Sequence, residues 1–227
     1  MFIKTDTDQL LVFRTCEKEV YDFVMNTGSL WLRTSHYYQN IEEDIAREDK
    51  LEGLNSCKIS LPLIFESSRT NITSIEGEGF IGETPQKAYI ISFHGISIEQ
   101  KTKRGFGPKT FGIYNIEKFI NNILNEAKKQ LEIKSYIFGK VIYQYSPVFI
   151  SSSNLGGSYK LNEKEHLSIF DQNLLRKRPV EPFILQDEFR LVLFVDDYIN
   201  NNIDSILKIN VSNNNFYDYS ENHFYTQ

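Results

Sequence analysis

The chain has 227 residues, 41% of them hydrophobic and 14% aromatic, which is enough apolar material for a folded core and excludes a disordered protein. Its formal net charge of −5 excludes a global basic footprint for nonspecific nucleic-acid binding, although a local basic groove remains possible. The only two cysteines, Cys16 and Cys57, lack CxxC spacing; this disfavours a zinc site and a disulfide framework and fits a reducing cytoplasm.

Neither a secretion signal nor a membrane span is predicted. The N-terminus, Met1 to Asp6, has no basic region followed by an apolar stretch, and no segment approaches the roughly 18 apolar residues of a spanning helix. We therefore expect a cytoplasmic protein without a membrane partner. None of the four histidines has a partner at metal-ligand spacing, so we also expect no metal.

The first part of the chain reads as strand, helix, strand. Leu10–Arg14 is a predicted strand, Glu17–Asn26 an amphipathic helix that ends at Gly28, and Ser29–Ser35 a second strand. Three apolar residues of this helix are predicted to be buried: Val20, Phe23 and Val24.

The rest of the chain continues the mixture of strands and helices. The predicted elements are a short acidic helix around 40–47, a strand at 87–94, a mobile basic loop at 101–109, a helix at 116–131, a strand at 137–143, a helix at 162–175 and strands at 183–195 and 206–211. With no internal repeat and no long linker, we expect residues 1–227 to form a single domain. The fold class is α+β.

The predicted strand 183–195 has an unusual polar interruption. A central strand of β-branched and aromatic residues should be apolar on both faces, yet this one carries Gln186, Asp187, Glu188 and Arg190. On a strand, Gln186 and Glu188 share one face and Asp187 points the other way. Either Glu188 pairs with Arg190 as a solvent-exposed ion pair of an edge strand, or it has a chemical role.

A second group of polar residues follows the second strand. Arg33 and Ser35 share a strand face, and Tyr37 and Tyr38 come just beyond. Hydroxyl donors and aromatic faces of this kind suit a ribose and a nicotinamide or base. The alternative interpretation is a strand followed by an exposed charged helix with half-buried tyrosines.

The order of these motifs resembles that of ADP-ribosyltransferases. Arg14 ends the first strand, Arg33-Thr-Ser35 lies on the second, and Gln186-x-Glu188 lies late in the chain. The resemblance implies a split β-sandwich of mostly antiparallel strands with several peripheral helices. The chain differs from the family pattern in having Arg-Thr-Ser where Ser-Thr-Ser is usual. It also lacks the first-strand histidine of another branch of the superfamily.

The resemblance also implies a function. The chain would be a mono-ADP-ribosyltransferase with NAD as its substrate, of the kind found among bacterial toxins and phage-defence effectors, and an antitoxin protein could control it. Glu188 would stabilise the ribosyl cation and Gln186 would bind the acceptor group. Arg14, preferred over Arg33 because the family's arginine lies on the first strand, would bind NAD, with Ser35, Tyr37 and Tyr38 around the ribose. The four cations of 101–109 would contact a macromolecular acceptor, which is either a nucleic acid (RNA or DNA) or a protein; in a nucleic acid they would bind phosphates.

Two other classes of function stay open. A metal-dependent nuclease could use the carboxylates between Glu42 and Glu52, although a helix would let only part of them converge. A non-enzymatic interaction module of a toxin–antitoxin or defence system could use exposed members of the 13 Tyr and 17 Phe residues as anchors.

Overall fold

The structure is a computed structural model. It describes residues 11–39, 55–60, 63–65, 78–83, 87–143, 148–151, 159–161, 173–177, 181 and 183–219. The predicted acidic helix at 40–47 lies outside this part of the chain, as do the acidic residues considered for a nuclease and most of the predicted helix 162–175.

Four α-helices occur in the described residues. They are α1 (Lys18–Thr27), α2 (Ser35–Gln39), α3 (Gln100–Phe106) and α4 (Ile116–Ala127). The side chain of Asn115 caps α4 by accepting a hydrogen bond from the Lys118 amide at 2.9 Å. Helix α1 ends at Gly28, whose φ of 71° is the left-handed conformation that glycine adopts without strain.

Fifteen strands occur in the same part of the chain. They are β1 (Phe13–Cys16), β2 (Ser29–Thr34), β3 (Asn55–Ser60), β4 (Leu63–Phe65), β5 (Glu78–Glu83), β6 (Ala88–His94), β7 (Lys109–Ile113), β8 (Ile133–Lys140), β9 (Ile142–Tyr143), β10 (Val148–Ser151), β11 (Tyr159–Leu161), β12 (Arg176–Lys177), β13 (Glu188–Val195), β14 (Ile206–Asn210) and β15 (Phe216–Asp218). The predicted α+β class with mostly antiparallel strands is confirmed.

Eight of these strands form one antiparallel sheet that branches at β6. One edge of β6 pairs with β13 along its whole length, and β13 pairs in turn with β8. The other edge is shared: β2 pairs with it near Tyr89 and Ile90, and β1 pairs with it at His94. Two arms therefore diverge from β6, one formed by β2 and β14 and the other by β1, β7 and β15.

The two faces of the sheet have different partners. Alternate residues of β6 and β13, among them Ile91 and Leu191, belong to the main core together with the apolar stripe of α4; we call this side the helix face. The other residues of the two strands form the Glu188 face, where a smaller apolar cluster including Ile90 and Val192 adjoins a group of buried charges. The candidate site lies on that face.

Several predicted details are wrong. Val20 and Phe23 are 44% and 45% exposed, because α1 packs on the sheet through Tyr21 and Val24 instead. The predicted mobile loop at 101–109 is mainly helix α3, whose cap Glu99 accepts a hydrogen bond from the Thr102 amide. The late strand starts only at Glu188, after a 3-10 turn at Phe183–Gln186.

Candidate functional site

Glu188 is buried at the start of a central strand. It opens β13, which lies between β6 and β8, and only 5% of its surface is exposed. The neighbouring Arg190 on the same face is 1% exposed. Isolated charges cannot be buried at low cost, so both side chains need partners. The interpretation of Glu188 as a solvent-exposed ion pair on an edge strand is therefore wrong in its setting, although the pairing of Glu188 with Arg190 is confirmed.

The two carboxylate oxygens of Glu188 have different surroundings. Oε1 accepts hydrogen bonds from Arg190 Nε at 2.7 Å and from Ser92 Oγ at 2.6 Å. Oε2 forms an ion pair with Lys177, whose Nζ lies 2.8 Å away. No other described residue donates a hydrogen bond to Oε2.

Lys177 is held in place by three groups. It is 4% exposed, donates a hydrogen bond to Gln186 Oε1 at 3.1 Å, and its ammonium lies 4.4 Å from the centre of the Phe183 ring. Together with the contact to Glu188, these interactions direct the ammonium towards the carboxylate. Gln186 belongs to the 3-10 turn and not to β13, so it does not share a strand face with Glu188. It is connected to Glu188 only through Lys177, which contacts both residues.

Glu188 is ionised at neutral pH. Burial raises the pKa of its carboxyl group, but the charges of Arg190 and Lys177 outweigh that effect and bring the pKa to about 2. Nearby Tyr143 accepts a hydrogen bond from the Glu188 amide at 3.1 Å. Burial, followed by the charge of Glu188, raises the pKa of this tyrosine, so it stays a neutral phenol.

Asp187 fixes the approach of the chain to β13. Its φ of 46° is unusual for a residue other than glycine, and its carbonyl oxygen accepts a hydrogen bond from the Gly95 amide at 2.8 Å. Its side chain accepts from the Ser97 amide at 2.9 Å and pairs with Lys140 at 2.6 Å. These contacts turn the chain sharply between the 3-10 turn and the strand.

Three of the predicted cofactor residues lie on the Glu188 side of the sheet. Arg33 is paired with Ile90, which is paired with Val192, so its side chain shares the Glu188 face. Its guanidinium lies 4.5 Å from the centre of the Tyr37 ring. Tyr38 packs against the apolar cluster of that face, and its ring centre is 5.5 Å from that of Tyr37.

The other two predicted cofactor residues lie elsewhere. Arg14 alternates with Phe13, the partner of His94, and so points to the helix face. Cys16 is on that face too, where burial raises the pKa of its thiol and the charge of Arg14 lowers it. Ser35 contacts the hydroxyl of Tyr198, another member of the main core, at 3.0 Å. The structure therefore separates Arg14 and Ser35 from Glu188.

A buried polar chain adjoins Glu188 on the same face. His94, the strand partner of Glu188, has Nδ1 2.8 Å from the Gly95 carbonyl oxygen. Because a carbonyl oxygen can only accept, Nδ1 carries the proton and Nε2 accepts from Thr15 Oγ1 at 2.8 Å, which accepts in turn from Thr110. Burial lowers the pKa of His94 to about 4, which keeps the imidazole neutral.

Lys177, Ser92 and Tyr143 belong to the site although the sequence does not mark them as site residues. Lys177 lies in a run of basic residues typical of solvated surface, and the sequence pattern around Tyr143 indicates only a strand. Between Ala88 and Phe93, Ser92 is the one polar side chain that faces the same way as the buried Ile90. A polar residue on an otherwise apolar strand face is the sequence feature that could have identified it as a site residue.

In the described part of the chain, no helix is long and apolar enough to cross a membrane. No cluster of three or more His, Cys, Asp or Glu side chains in that part could hold a metal ion. Comparisons with models of protein families, with curated proteins and with solved structures find no match to this chain.

Proposed function

We propose that this chain is an NAD-dependent mono-ADP-ribosyltransferase that modifies a macromolecular acceptor, with Glu188 as its catalytic carboxylate. The observation that carries the proposal is Glu188 itself, an ionised carboxylate buried at the start of a central strand, with Oε1 fixed by Arg190 and Ser92 and Oε2 in an ion pair with Lys177. A carboxylate oxygen can accept two hydrogen bonds, so Oε2 is able to accept one from a substrate hydroxyl.

The chemistry needs one fixed negative charge. The bond between ribose C1′ and the nicotinamide nitrogen breaks, and its electron pair neutralises the pyridinium ring as nicotinamide leaves. Positive charge develops on the ribose until a nucleophilic atom of the acceptor bonds to C1′ and loses its proton. Arg190 and Ser92 hold Oε1 of Glu188 in place. The carboxylate is therefore already oriented when this charge develops, and Oε2 can accept a ribose hydroxyl.

In this proposal the substrate competes with Lys177. The Lys177 ammonium lies 2.8 Å from the oxygen that the ribose hydroxyl needs, and neither residue is more than 5% exposed. NAD binding therefore shifts Lys177 away from Oε2, while the contact between Arg190 and Oε1 keeps the carboxylate in place. Gln186, now hydrogen-bonded to Lys177, is then able to bind the acceptor group.

Arg33, Tyr37 and Tyr38 are assigned to NAD because they share the Glu188 side of the sheet. Arg33 has the charge and the donor geometry for a phosphate, and the two tyrosines offer an aromatic face to the nicotinamide or the base. Arg14 lies on the opposite face, so the proposal transfers the phosphate contact to Arg33. Arg33→Ala is expected to weaken NAD binding measured by calorimetry, and Arg14→Ala, the matched control, is expected to leave it unchanged.

The test of catalysis compares two variants that differ only at position 188. Lys177→Met keeps the carboxylate and removes the competing ammonium, so it is expected to transfer labelled ADP-ribose to components of a cell lysate at least as fast as the wild type. Adding Glu188→Gln to this variant is expected to lower the rate by about 10²- to 10³-fold, the usual effect of losing one preorganised electrostatic group. Both rates are measured per folded molecule, with the folded fraction taken from circular dichroism.

Digestion of the labelled product with protease or with nuclease identifies the class of acceptor. Rates within threefold of each other for the two variants would rule out Glu188 as the catalytic carboxylate. If the wild type labels nothing and binds no NAD, the buried charges are structural and the interaction module becomes the better explanation.

A further inference from the structure

Three tyrosines lie side by side at one end of the Glu188 face. Tyr217 is paired with Gly112, which is paired with Phe13, so the side chains of Phe13 and Tyr217 share that face. The ring of Tyr217 is 4.7 Å from that of Tyr114, and the ring of Tyr219 is 4.5 Å from that of Phe13. We call Tyr114, Tyr217 and Tyr219 the tyrosine row.

Gly112 makes room for this arrangement. A Cβ atom at this position would lie 2.2 Å from Cζ of Tyr217, so the ring lies directly over the glycine backbone. Tyr114 at the end of the row is 65% exposed, and Tyr217 and Tyr219 are partly exposed. The row thus offers aromatic surface to a partner.

Helix α3 places Lys103 beside the tyrosine row and carries two further cations. Lys103 Nζ lies 4.9 Å from the centre of the Tyr219 ring. Lys101 and Arg104 are exposed and three residues apart, so they lie on the same side of the helix. The sequence neighbour Glu99 is engaged as the helix cap.

The carboxylate of Asp218, the acidic residue of β15, points away from the tyrosine row. Asp218 alternates with Tyr217 and Tyr219, so it lies on the helix face, where it accepts a hydrogen bond from the Tyr21 hydroxyl at 2.6 Å. The tyrosine row and α3 therefore bring three aromatic rings and three cations together on a chain whose formal net charge is −5.

We propose that the tyrosine row and helix α3 bind single-stranded nucleic acid, with bases stacked on the tyrosines and phosphates at Lys101, Lys103 and Arg104. Aromatic rings on a sheet face together with neighbouring cations are the arrangement that binds unpaired bases, since every base has a face that can stack. In a duplex the bases stack on each other and are not available to the rings. The charged rim and the aromatic rings together favour nucleic acid over a protein partner.

The position of α3 connects this surface to Glu188. The helix packs against β1 and against the 3-10 turn 183–186 that leads into Glu188, and the Glu99 amide donates a hydrogen bond to the Leu185 carbonyl at 2.9 Å. A strand that extends from the tyrosine row over α3 therefore reaches the turn that leads into Glu188. The assignment of this strand as the acceptor rests on the proposed function, whereas the binding itself does not.

Fluorescence anisotropy with a labelled single-stranded oligonucleotide, without NAD, tests the binding. The wild type is expected to bind more weakly as salt rises, and Lys101→Ala/Arg104→Ala to flatten the slope of log K against log salt by about 1.4, or roughly 0.7 for each lost phosphate contact. Tyr114→Ala is expected to weaken binding about 5- to 160-fold with an unchanged slope, because base stacking contributes about 1–3 kcal/mol. The matched control is Lys128→Ala/Lys208→Ala, which removes two exposed cations away from this surface, one at the C-terminal cap of α4 and one on β14, and should change neither quantity.

Failure of this inference can be told apart from failure of the proposed function. Any one of three results would overturn the nucleic-acid surface. They are no binding at all, equal affinity for single-stranded and duplex oligonucleotides, and a control variant that weakens binding as much as the α3 variant does. Binding that behaves as expected, but without NAD-dependent labelling of the bound oligonucleotide, would keep the surface and remove its role as the acceptor site. Labelling of proteins alone, with no oligonucleotide bound, would assign the acceptor to the other class and overturn the inference.

Discussion

Replacing Glu188 with glutamine removes the carboxylate that Lys177 and Arg190 share. The three side chains are between 1% and 5% exposed, and their formal charges are one negative and two positive. Glutamine is nearly isosteric, so the change leaves packing intact and acts on charge alone. The variant brings two buried cations together without the anion that both contact.

The magnitude follows from this geometry. Removing one partner of a buried ion pair typically costs about 3–5 kcal/mol, which is a large share of the roughly 5–15 kcal/mol that stabilises a domain. Lys177→Met should cost less, about 1–3 kcal/mol, because Glu188 keeps Arg190 and Ser92 when it loses the ion pair with Lys177, and Gln186 loses one hydrogen-bond donor. Combining both changes restores the formal charge of the wild-type cluster. The double variant should therefore be more stable than the sum of the single effects by at least about 1 kcal/mol.

Urea unfolding followed by circular dichroism measures these free energies. The matched control is Lys140→Met, which removes the partner of the adjacent Asp187; because Lys140 is 58% exposed, its loss should cost under about 1 kcal/mol. Strictly additive effects of Glu188→Gln and Lys177→Met would refute the reasoning, as would a Glu188→Gln variant as stable as the Lys140 control. Either result would mean that the buried contact of Lys177 with Glu188 contributes no more to stability than the exposed contact of Lys140 with Asp187.

The remaining predictions concern pH and backbone conformation. The pKa of His94, about 4 in the fold, is below its ordinary value of 6.5, so the unfolded chain binds more protons between these values. The free energy of unfolding should fall by up to about 1.4 kcal/mol per pH unit as pH drops from 6.5 to 4, and urea titrations of His94→Gln should show a flatter dependence. Gly28→Ala should destabilise by more than about 1–2 kcal/mol in the same assay, because its φ is 71° and the new Cβ would lie 1.7 Å from the Val211 carbonyl oxygen. Gly105→Ala in α3 has open space around its Cβ and should be neutral or stabilising by up to about 1 kcal/mol.

Local patterns predicted the elements better than their packing. The apolar stripe of α4 was visible in the sequence because Phe119, Ile120 and Ile123 recur at helical spacing, and all three are buried. Helix α1 has a similar stripe, yet Val20 and Phe23 are exposed, since the side that a helix buries depends on where the neighbouring strands lie. Gly105 and Gly107 indicate a loop at 101–109, but the lysines and the arginine of this segment favour a helix and Glu99 caps it.

The candidate site depends even more on non-local contacts. That Glu188 is polar in an apolar strand was visible in the sequence, but its burial depends on β6 and β8 flanking β13. Its second cation, Lys177, comes from β12, outside the strand, and no spacing rule connects the two residues. The short range of sequence patterns explains why Arg190 was recognised as a partner and Lys177 was not.

The choice between the two candidate arginines depends on strand register. Because side chains alternate along a strand, a shift of one residue in the pairing of β1 with β6 would move Arg14 from the helix face to the Glu188 face. The observed pairing of Phe13 with His94 excludes that arrangement, and the pairing of Arg33 with Ile90 places the other arginine beside the Glu188 cluster. Both strands carry an arginine in a similar local pattern, so the sequence could not distinguish them. The registers of β1 and β2 on β6 therefore give the two arginines opposite orientations, and Arg33 is the residue whose loss should weaken NAD binding under the proposed function.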